Sequence, residues 1–326
     1  MFSKTRVAVL RGGPSSEYHV SLKTGATVLA NLPEKYHGID IFIDMDGVWH
    51  MNGKRERPEK ILGKVDAVFN ALHGEYGEDG FVQELLESHG VKFSGPRRIG
   101  AVFSYNKPLA KQALERTGCK TPYARVYKRE DIAAVEALAG ELYRTFPQPC
   151  IIKPASKGSS IGISVARTPD EITLALRAVL AITDRILVEE FIEGKEAVCG
   201  VIEDFRGAKF YSMLPVEIEL PQSHQFFSFE TRYGDEGKHT CPGRFKTEEK
   251  EELQKLAVEV HTTLGLRHYS RSEFIVHPKR GIFFLEADAL PDLHEGVSPY
   301  IQSLHAVGTT IPHFLDHILS LALEGK

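Results

Sequence analysis

Residues 283–291 read FFLEADALP, an apolar run that leads into two acids, Glu286 and Asp288. In an extended strand, residues i and i+2 point to the same side of the chain. The two carboxylates therefore face one small volume at the end of a strand. Acids at strand ends are often only solvated surface residues. Whether these two acids belong to a binding site therefore depends on the neighbouring sequence.

A second apolar run, which carries an arginine and an acid, precedes this one. Residues 270–276 read SRSEFIV and indicate a strand with Arg271 and Glu273, and Gly281 lies in a turn between the two runs. The pattern predicts an antiparallel hairpin that gathers three acids and one arginine. Hard cations such as Mg²⁺ prefer carboxylate oxygens and usually bridge them to nucleotide phosphates.

Two further segments upstream are typical of phosphate-binding chemistry. Residues 150–164, CIIKPASKGSSIGIS, combine a strand that delivers Lys153 with a Gly/Ser loop and a second strand. Such a loop can offer backbone N–H groups to phosphates while Lys153 supplies a point charge. It is not a Walker A loop, and by itself a Gly/Ser hairpin loop is more often just a turn. Residues 188–196, VEEFIEGKE, follow another apolar strand.

Two long motifs near the beginning of the chain add specificity. Residues 7–21 read VAVLRGGPSSEYHVS, and residues 70–80 read NALHGEYGEDG. They are similar to G-G-x-S-x-E-x-x-V-S and A-L-H-G-x-x-G-E-D-G, the first two signatures of the D-alanine–D-alanine ligase family. Together with the order of the later elements, they give a chain that resembles the ATP-grasp superfamily, and this family within it, nearly from end to end.

Composition and charge agree with a cytoplasmic enzyme. Of the 326 residues, 42% are hydrophobic and 26% are charged, as in ordinary globular proteins. The net charge of −4 does not favour a nucleic-acid partner. We expect no signal peptide and no membrane span, because no apolar stretch approaches 18 residues. The four cysteines are widely spaced, so zinc and disulfides are not expected.

The periodicities predict three regions of mixed α/β and α+β structure. In residues 1–104, short strands alternate with helix-like stretches, which indicates an open parallel α/β sheet domain. The resemblance implies that residues 105–201 and 202–326 form the two ATP-grasp lobes. Within the second lobe, residues 221–238 are polar and rich in aromatics. They indicate an active-site lid, and the alternative is a disordered surface loop.

The resemblance also implies which residues bind ATP. Lys107 and Lys153 match the family's two phosphate lysines. Glu189 would accept from the adenine amino group, and Glu196 from the ribose hydroxyls. The other residues assigned to the nucleotide are Glu190, Phe191, Phe226 and Arg232, of which the two phenylalanines could equally be ordinary core.

The resemblance assigns the metal ion and the transferring phosphoryl group to the acidic hairpin. Glu273, Glu286 and Asp288 match the family's magnesium ligands, so Mg²⁺ or Mn²⁺ is implied beside ATP. If so, their carboxylates should converge within one coordination sphere. Arg271 matches the residue that contacts the phosphoryl group and the carboxyl oxygen.

The first amino-acid substrate is assigned to residues from three parts of the chain. Glu17 would hold the ammonium of a D-alanine, supported by Ser159 and Tyr233, and His73 would lie beside the amino acid. By the resemblance the remaining partners are small molecules, and the protein is a homodimer.

The final signature of the family, usually E-x-N-x-x-P-G-x-T, is altered in this chain. Glu273 stands where an Asp is usual upstream of it, and Asp288 stands for Asn, which adds a negative charge. Asp292 replaces a glycine that lets the backbone approach an oxyanion. His294 and Ser298 then stand in a segment where the family has Thr and Ser.

We expect this segment to determine the second substrate. Asp292 and Glu295 would repel an incoming carboxylate unless His294 or Ser298 replaces the lost donors. Weak binding of a second D-alanine, or a preference for another acceptor, is therefore expected.

Three functions follow from these observations. The first is a D-alanine–D-alanine ligase that activates a carboxylate as an acyl phosphate, for the synthesis of peptidoglycan precursors. The second is another ATP-dependent carboxylate–amine ligase with a different acceptor. The third is a nucleotide-binding homologue without ligase activity. The retained Lys153, Arg271 and hairpin acids argue against it, whereas the loss of the family's Pro-Gly argues for it.

Overall fold

The computed structural model of the chain describes residues 4–156, 158, 162–219 and 238–325. Within these ranges the chain forms three β-sheets that pack against helices. None of the described helices is long and apolar enough to cross a membrane.

The first sheet is the open, largely parallel sheet that the sequence predicts. Its strands are β1 (Thr5–Gly12), β2 (Tyr36–Ile43), β3 (Trp49–Met51), β4 (Lys54–Arg55), β5 (Ala67–Asn70) and β6 (Lys92–Phe93). The spatial order is β4-β3-β2-β1-β5-β6, with β1, β2, β5 and β6 parallel. The helices of this region are α1 (Tyr18–Asn31), α2 (Pro58–Leu62) and α3 (Phe81–Ser88).

The antiparallel edge of this sheet was not predicted. Strand β3 pairs antiparallel with both β2 and β4. Between β3 and β4, Asn52 and Gly53 have φ values of 54° and 73°. An Asn-Gly pair with both φ positive is the commonest two-residue hairpin turn, so this dipeptide was the signal that the sequence analysis missed.

The second sheet carries the predicted lysine strand. Its strands are β7 (Ala124–Lys128), β8 (Cys150–Pro154), β9 (Ser164–Ala166) and β10 (Arg185–Glu190), in the antiparallel order β7-β10-β8-β9. The helices that precede and cover it are α4 (Arg98–Tyr105), α5 (Lys107–Leu114), α6 (Val135–Thr145) and α7 (Pro169–Leu180). A separate apolar core lies between this sheet and the pair α6 and α7.

The third sheet is antiparallel throughout. Its strands are β11 (Lys195–Phe205), β12 (Ala208–Ser212), β13 (Val216–Glu219), β14 (Lys238–Thr240), β15 (Tyr269–His277) and β16 (Gly281–Asp288). The order is β14-β13-β11-β15-β16, and β12 pairs with β11. The helices of this part are α8 (Thr247–Thr263), α9 (Pro299–Ala306) and α10 (Ile311–Glu324).

The last helix belongs to the core of the first sheet as well as to its own region. Phe314 and Ile318 of α10 are fully buried in one cluster with Val7, Phe69 and Tyr269. Strand β11 also spans the boundary predicted near residue 201, so the third sheet begins before that boundary. The division into three domains stays a prediction, but the first and third regions share a continuous core.

Candidate active site

Strands β15 and β16 form the predicted antiparallel hairpin. Across the ladder, Arg271 pairs with Asp288 and Glu273 pairs with Glu286. Directly opposite residues share a face of a sheet, and so do residues two apart on one strand. From the i, i+2 spacing alone, the sequence placed only the two acids of β16, Glu286 and Asp288, on one side of a strand. The register adds Arg271 and Glu273 to the same face.

Arg271 is the cation of this cluster, and its side chain is only 3% exposed. Its Nη2 lies 2.8 Å from Asp288 Oδ2 and 3.2 Å from Glu273 Oε1, and its Nη1 lies 3.4 Å from Asp292 Oδ2. Three carboxylates therefore share one guanidinium. A fixed, buried cation of this kind offsets part of the repulsion among the acids.

The predicted convergence of three carboxylates is not observed. Among the described residues, no group of three or more acids, histidines or cysteines is arranged to hold a metal ion. The physical reason is that each acid turns to a nearby cation: Glu273 and Asp288 to Arg271, and Glu286 to Lys107. Their oxygen ligands and their shared face still fit a hard cation, provided that these ion pairs rearrange.

Lys107 occupies an electrostatically unfavourable position. It is the first residue of α5, where the N-cap Asn106 accepts a hydrogen bond from the backbone N–H of Leu109 at 3.2 Å. A positive charge at a helix N-terminus opposes the helix dipole, and the Lys107 side chain is only 7% exposed. Its Nζ lies 3.1 Å from Glu286 Oε2, and this ion pair offsets both costs.

Glu189 lies between two lysines at the end of β10. Its Oε2 is 2.7 Å from Lys153 Nζ, and its Oε1 is 2.8 Å from Lys111 Nζ. Burial by itself would raise the pKa of Glu189, but the two lysines outweigh it and the pKa lies below its usual value. Burial lowers the pKa of Lys111, and Glu189 opposes that change. The sequence analysis did not single out Lys111.

A cavity of about 570 Å³ lies between the second and third sheets. The predicted nucleotide and metal residues that line it are Lys153, Glu189, Glu190, Phe191, Glu196, Glu273 and Glu286. Apolar side chains such as Ile151 and Leu285 complete the wall. A cavity that combines apolar walls with convergent charged groups is typical of a cofactor site.

Glu190, which was assigned to the nucleotide, is held by the protein. Arg280 contacts both of its carboxylate oxygens at 3.0 Å, and the backbone N–H of Tyr123 donates to it at 3.0 Å. Burial would raise the pKa of Glu190, but Arg280 and this N–H lower it below its usual value. Its side chain lines the cavity, and its role toward a nucleotide stays a prediction.

A second, narrow cavity of about 40 Å³ lies beside Arg271 and the end of β16. Its lining combines residues from the first region, from α4 and α5, from the Gly/Ser loop, and from the hairpin and the segment after it: Glu17, His73, Glu78, Ser104, Tyr105, Lys107, Gly158, Arg271, Glu286, Ala287, Asp288, Ala289 and Asp292. Glu286 lines both cavities. The predicted first-substrate residues Glu17 and His73 are therefore brought together with Arg271.

Two glycines approach Glu17 closely. A Cβ at position 158 would lie 2.4 Å from Glu17 Oε1, and one at position 74 would lie 3.2 Å from the same oxygen. Position 74 also has φ of +69°, a backbone conformation that side chains rarely adopt. The Gly/Ser loop thus reaches Glu17 through Gly158.

His73 is held on both sides of its ring. Its Nε2 lies 2.9 Å from Thr24 Oγ1, and its Nδ1 lies 3.4 Å from Glu78 Oε1. Burial and the nearby charge of Asp288 raise the pKa of Glu78 well above its ordinary value. Glu78 lies within the second motif but was not assigned a role from the sequence.

Tyr105 is a further cavity residue that the sequence analysis missed. Within the described part of the chain, its buried hydroxyl has no hydrogen-bond partner. Burial, followed by the charges of Glu75, Glu78 and Glu17, raises the pKa of Tyr105 and keeps the phenol protonated. Its only sequence signal was a polar aromatic residue two positions before Lys107.

Some side chains of the altered final signature make local structural contacts. Ser298 Oγ donates to the carbonyl of Asp292 at 2.6 Å and caps α9 by accepting from the N–H of Ile301. Asp292 is buried and faces Arg271, so its charge is compensated. His294 has a buried Nδ1 without a partner in the ranges described, and burial and Lys23 lower its pKa. Of Asp292, His294 and Ser298, His294 is the one with a buried side-chain nitrogen that has no partner among the described residues.

Four predicted site residues lie outside the described residues. They are Ser159, Phe226, Arg232 and Tyr233. Their assigned roles stay predictions.

Comparison with known proteins gives a consistent family. The model of the D-ala D-ala ligase C-terminus matches residues 115–320, and that of the D-ala D-ala ligase N-terminus matches residues 6–62 and 50–96. The D-alanine–D-alanine ligase of Carboxydothermus hydrogenoformans is 30% identical over 98% of this chain and 99% of its own length. The D-alanine–D-alanine ligase of Solibacter usitatus is 32% identical over 98% of this chain and 96% of its own length.

Solved structures agree with this assignment. The VanG D-Ala:D-Ser ligase from Enterococcus faecalis is similar with a TM-score of 0.83 and 26% identity, over 98% of this chain and 100% of that one. The D-alanine–D-alanine ligase from Coxiella burnetii has a TM-score of 0.82 at 23% identity, over 99% of this chain and 94% of that one. This similarity supports the ATP-grasp fold. From the sheets, the two cavities and these matches, the chain belongs to the D-alanine–D-alanine ligase family, a family of ligases.

Proposed function

We propose that this protein joins two D-alanines in an ATP-dependent reaction that gives D-alanyl-D-alanine, ADP and phosphate. The observation that carries the proposal is the position of Glu286, which lines both the larger and the narrow cavity. A nucleotide in the first and an amino acid in the second would meet at the hairpin, beside Arg271. The family matches favour this function over the other two that the sequence left open.

The larger cavity would hold ATP. Lys153 would meet its phosphates, Glu189 the adenine amino group and Glu196 the ribose hydroxyls, while Phe191 lines the same wall. Lys107 would approach the phosphates from the start of α5. In support, Lys153 and Glu189 form an ion pair at the wall of this cavity. When ATP binds, Lys153 could exchange Glu189 for a phosphate oxygen.

Glu273, Glu286 and Asp288 would hold Mg²⁺. The ion supplies positive charge that offsets crowded phosphate oxygens and polarises the transferring group. These acids meet that requirement by their donor type and their common face on the hairpin. Lys107 and Arg271 would then be released from the acids to face phosphate oxygens.

The narrow cavity would hold the first D-alanine, with its ammonium on Glu17. We add Tyr105 to this subsite, because its protonated hydroxyl lies among carboxylates and lines the same cavity. An amino acid needs more room than about 40 Å³. Binding it would therefore require the cavity to widen, and Gly158 lies against Glu17. Ser159 and Tyr233 would complete the subsite.

The chemistry is carboxylate activation followed by acyl transfer. A carboxylate oxygen of the first D-alanine attacks the γ-phosphorus of ATP, and the bond from phosphorus to the ADP oxygen breaks. The amine of the second D-alanine then attacks the carbonyl carbon of the acyl phosphate. Phosphate leaves with the bonding electrons, and the amine loses a proton. Arg271 would stabilise the tetrahedral oxyanion, and a closed site would protect the acyl phosphate from water.

His294 would guide the second D-alanine. Because its pKa lies below the usual value, it is neutral near pH 7 and offers a hydrogen bond without a charge. Its buried Nδ1 would serve the acceptor carboxylate, and the backbone at Asp292 would border the oxyanion. We further propose that the protein is a cytoplasmic homodimer that serves peptidoglycan precursor synthesis. Light scattering of the purified protein tests whether it is a dimer.

Phosphate release from ATP tests the function. The assay compares D-alanine, a panel of other amines including D-serine, and no amine, with Mg²⁺ present and the product identified by mass spectrometry. We expect D-alanine alone to stimulate phosphate release and to yield the dipeptide. Phosphate release that is independent of D-alanine, or a mixed product made in preference to D-alanyl-D-alanine, would contradict the proposal.

A further inference from the structure

The carboxylate of Glu189 is shared by two lysines that come from different elements. Lys153 lies on β8, and in the β8–β10 ladder it pairs with Leu187, so it shares the face of Glu189 two residues further on. Lys111 comes from α5 and approaches the opposite oxygen. All three side chains are nearly buried, with exposures of 6%, 7% and 2% for Lys153, Lys111 and Glu189. A buried charge persists only when it is paired.

The two lysines differ in their access to the nucleotide cavity. Lys153 and Glu189 both line the cavity, whereas Lys111 does not. Lys111 lies behind the carboxylate, with its Nζ 6.0 Å from the centre of the Phe284 ring. Its Nζ lies 2.8 Å from Glu189 Oε1, so the contact is an ion pair. Lys111 is therefore set back from the cavity that would hold the phosphates.

The charge balance gives Lys111 a role. If Glu189 had Lys153 as its sole cation, moving Lys153 to a phosphate would leave a buried carboxylate uncompensated. With Lys111 in place, the carboxylate keeps one ion pair when Lys153 turns away. The competition between Glu189 and the phosphates for Lys153 is correspondingly weaker.

We propose that Lys111 is a positioning residue for the nucleoside triphosphate, which compensates Glu189 and so releases Lys153 to bind phosphate. The inference rests on the proposed function, since it requires ATP in the larger cavity. Helix α5 then supplies two lysines, Lys107 and Lys111, one turn apart on the same face. Lys107 pairs with Glu286 and Lys111 with Glu189, so the helix neutralises the metal side and the nucleotide side of the site.

Nucleotide binding without amino acid tests the inference. Calorimetric titration of the full chain with ATP and with adenosine, in the presence of Mg²⁺, is compared for the wild type, Lys111→Met and Lys111→Arg. We expect Lys111→Met to lose about tenfold in ATP affinity, as for one lost charge-assisted interaction, with adenosine affinity changed less than about twofold. Lys111→Arg keeps the charge and should stay within about threefold of the wild type.

Two further variants complete the design. Lys128→Met removes an exposed lysine of β7 in the same sheet and should leave both affinities unchanged. Lys111→Met with Glu189→Gln removes both members of the pair, and the amide oxygen can still accept from adenine. This double variant should recover ATP affinity to within about threefold, and it carries the test if Lys111→Met does not fold.

The outcomes separate the inference from the function. Unchanged ATP affinity in Lys111→Met, an equal loss for ATP and adenosine, or a double variant that stays about tenfold weakened would overturn the inference alone. A wild type that binds no ATP would overturn the proposed function with it. A loss specific to ATP that the double variant repairs supports the positioning role.

Discussion

Lys107 Nζ lies 3.1 Å from Glu286 Oε2, so the first residue of α5 is tied directly to the acidic end of β16. Both side chains are poorly exposed, at 7% and 16%. A cation at a helix start and an acid in a row of acids are each unfavourable by themselves, and here each offsets the other. The same pair lies where the two cavities meet, so the charges that stabilise the structure are the charges proposed for the reaction.

Replacing Glu286 by Gln should abolish turnover and leave the fold intact. The amide keeps the size of the side chain but removes the charge offered to Mg²⁺ and to Lys107, and we expect a loss of at least about 10²-fold in kcat. Phosphate release and the melting temperature are the measurements. The control is Glu252→Gln, which changes a partly exposed acid of α8 that pairs with Lys255. Near-normal turnover in Glu286→Gln would remove the metal assignment.

Lys153→Ala should weaken ATP binding even without an amino acid, because the lysine is proposed to meet the phosphates directly. A loss of about tenfold or more is expected in calorimetric titration. Glu196→Ala should weaken ATP but have less effect on a phosphate donor that lacks ribose. Equal ATP affinity in the wild type and in Lys153→Ala would contradict the nucleotide site.

Tyr105→Phe separates a binding role from a structural one. The hydroxyl is buried without a partner among the described residues, so its removal should not lower the melting temperature. If it contacts the first D-alanine, the KM for that substrate should rise about three- to tenfold. Steady-state kinetics and thermal unfolding test the two parts. A lower melting temperature with an unchanged KM would instead indicate a structural hydroxyl.

The double replacement Asp292→Gly and His294→Thr should strengthen binding of the second D-alanine, because it removes a carboxylate while the Thr hydroxyl replaces the hydrogen bond proposed for His294. Asp292 holds Arg271 Nη1 at 3.4 Å, and its loss removes a negative charge near the proposed oxyanion. The expected result is a second-site KM lowered by about five- to tenfold with kcat changed less, since ground-state binding is what the charge opposes. If the wild type already binds the second D-alanine tightly and the double variant is impaired, the segment is a compensated pocket.

Glu203 should make the fold sensitive to acid. Its carboxylate accepts from the N–H of His268 at 2.6 Å and lies 3.3 Å from His261 Nε2. Burial would raise the pKa of Glu203, but these partners lower it. A depressed folded pKa gives stability that is present above the unfolded value of about 4.3 and is lost as the pH falls through the folded value.

Glu203→Gln should therefore lower the free energy of unfolding at pH 7 by about 1–3 kcal/mol and by less below pH 4. Urea unfolding at the two pH values measures this difference. A reduction that is the same at pH 7 and below pH 4 would show that the charge of Glu203 does not contribute.

The sequence by itself determined the architecture and the family. The alternation of short strands and helices in the first region predicted the parallel sheet, because each period buries one face of an element. Local spacing predicted the acidic hairpin, since i, i+2 acids on a strand share a side. The long motifs around Glu17 and His73 specified the family because many residue types recur at fixed spacing over residues 7–21 and 70–80.

Only the tertiary structure decided which charges meet. Lys111 and Glu189 are 78 positions apart, and Lys107 and Glu286 are 179 apart, so no local pattern could pair them. Tyr105 and Glu78 join the narrow cavity through packing of α4 against the first motifs and the hairpin. Ion pairs depend on distance and burial in three dimensions, whereas motifs report only spacing along the chain. For that reason the sequence listed the acids of the hairpin, and the fold assigned each its cation.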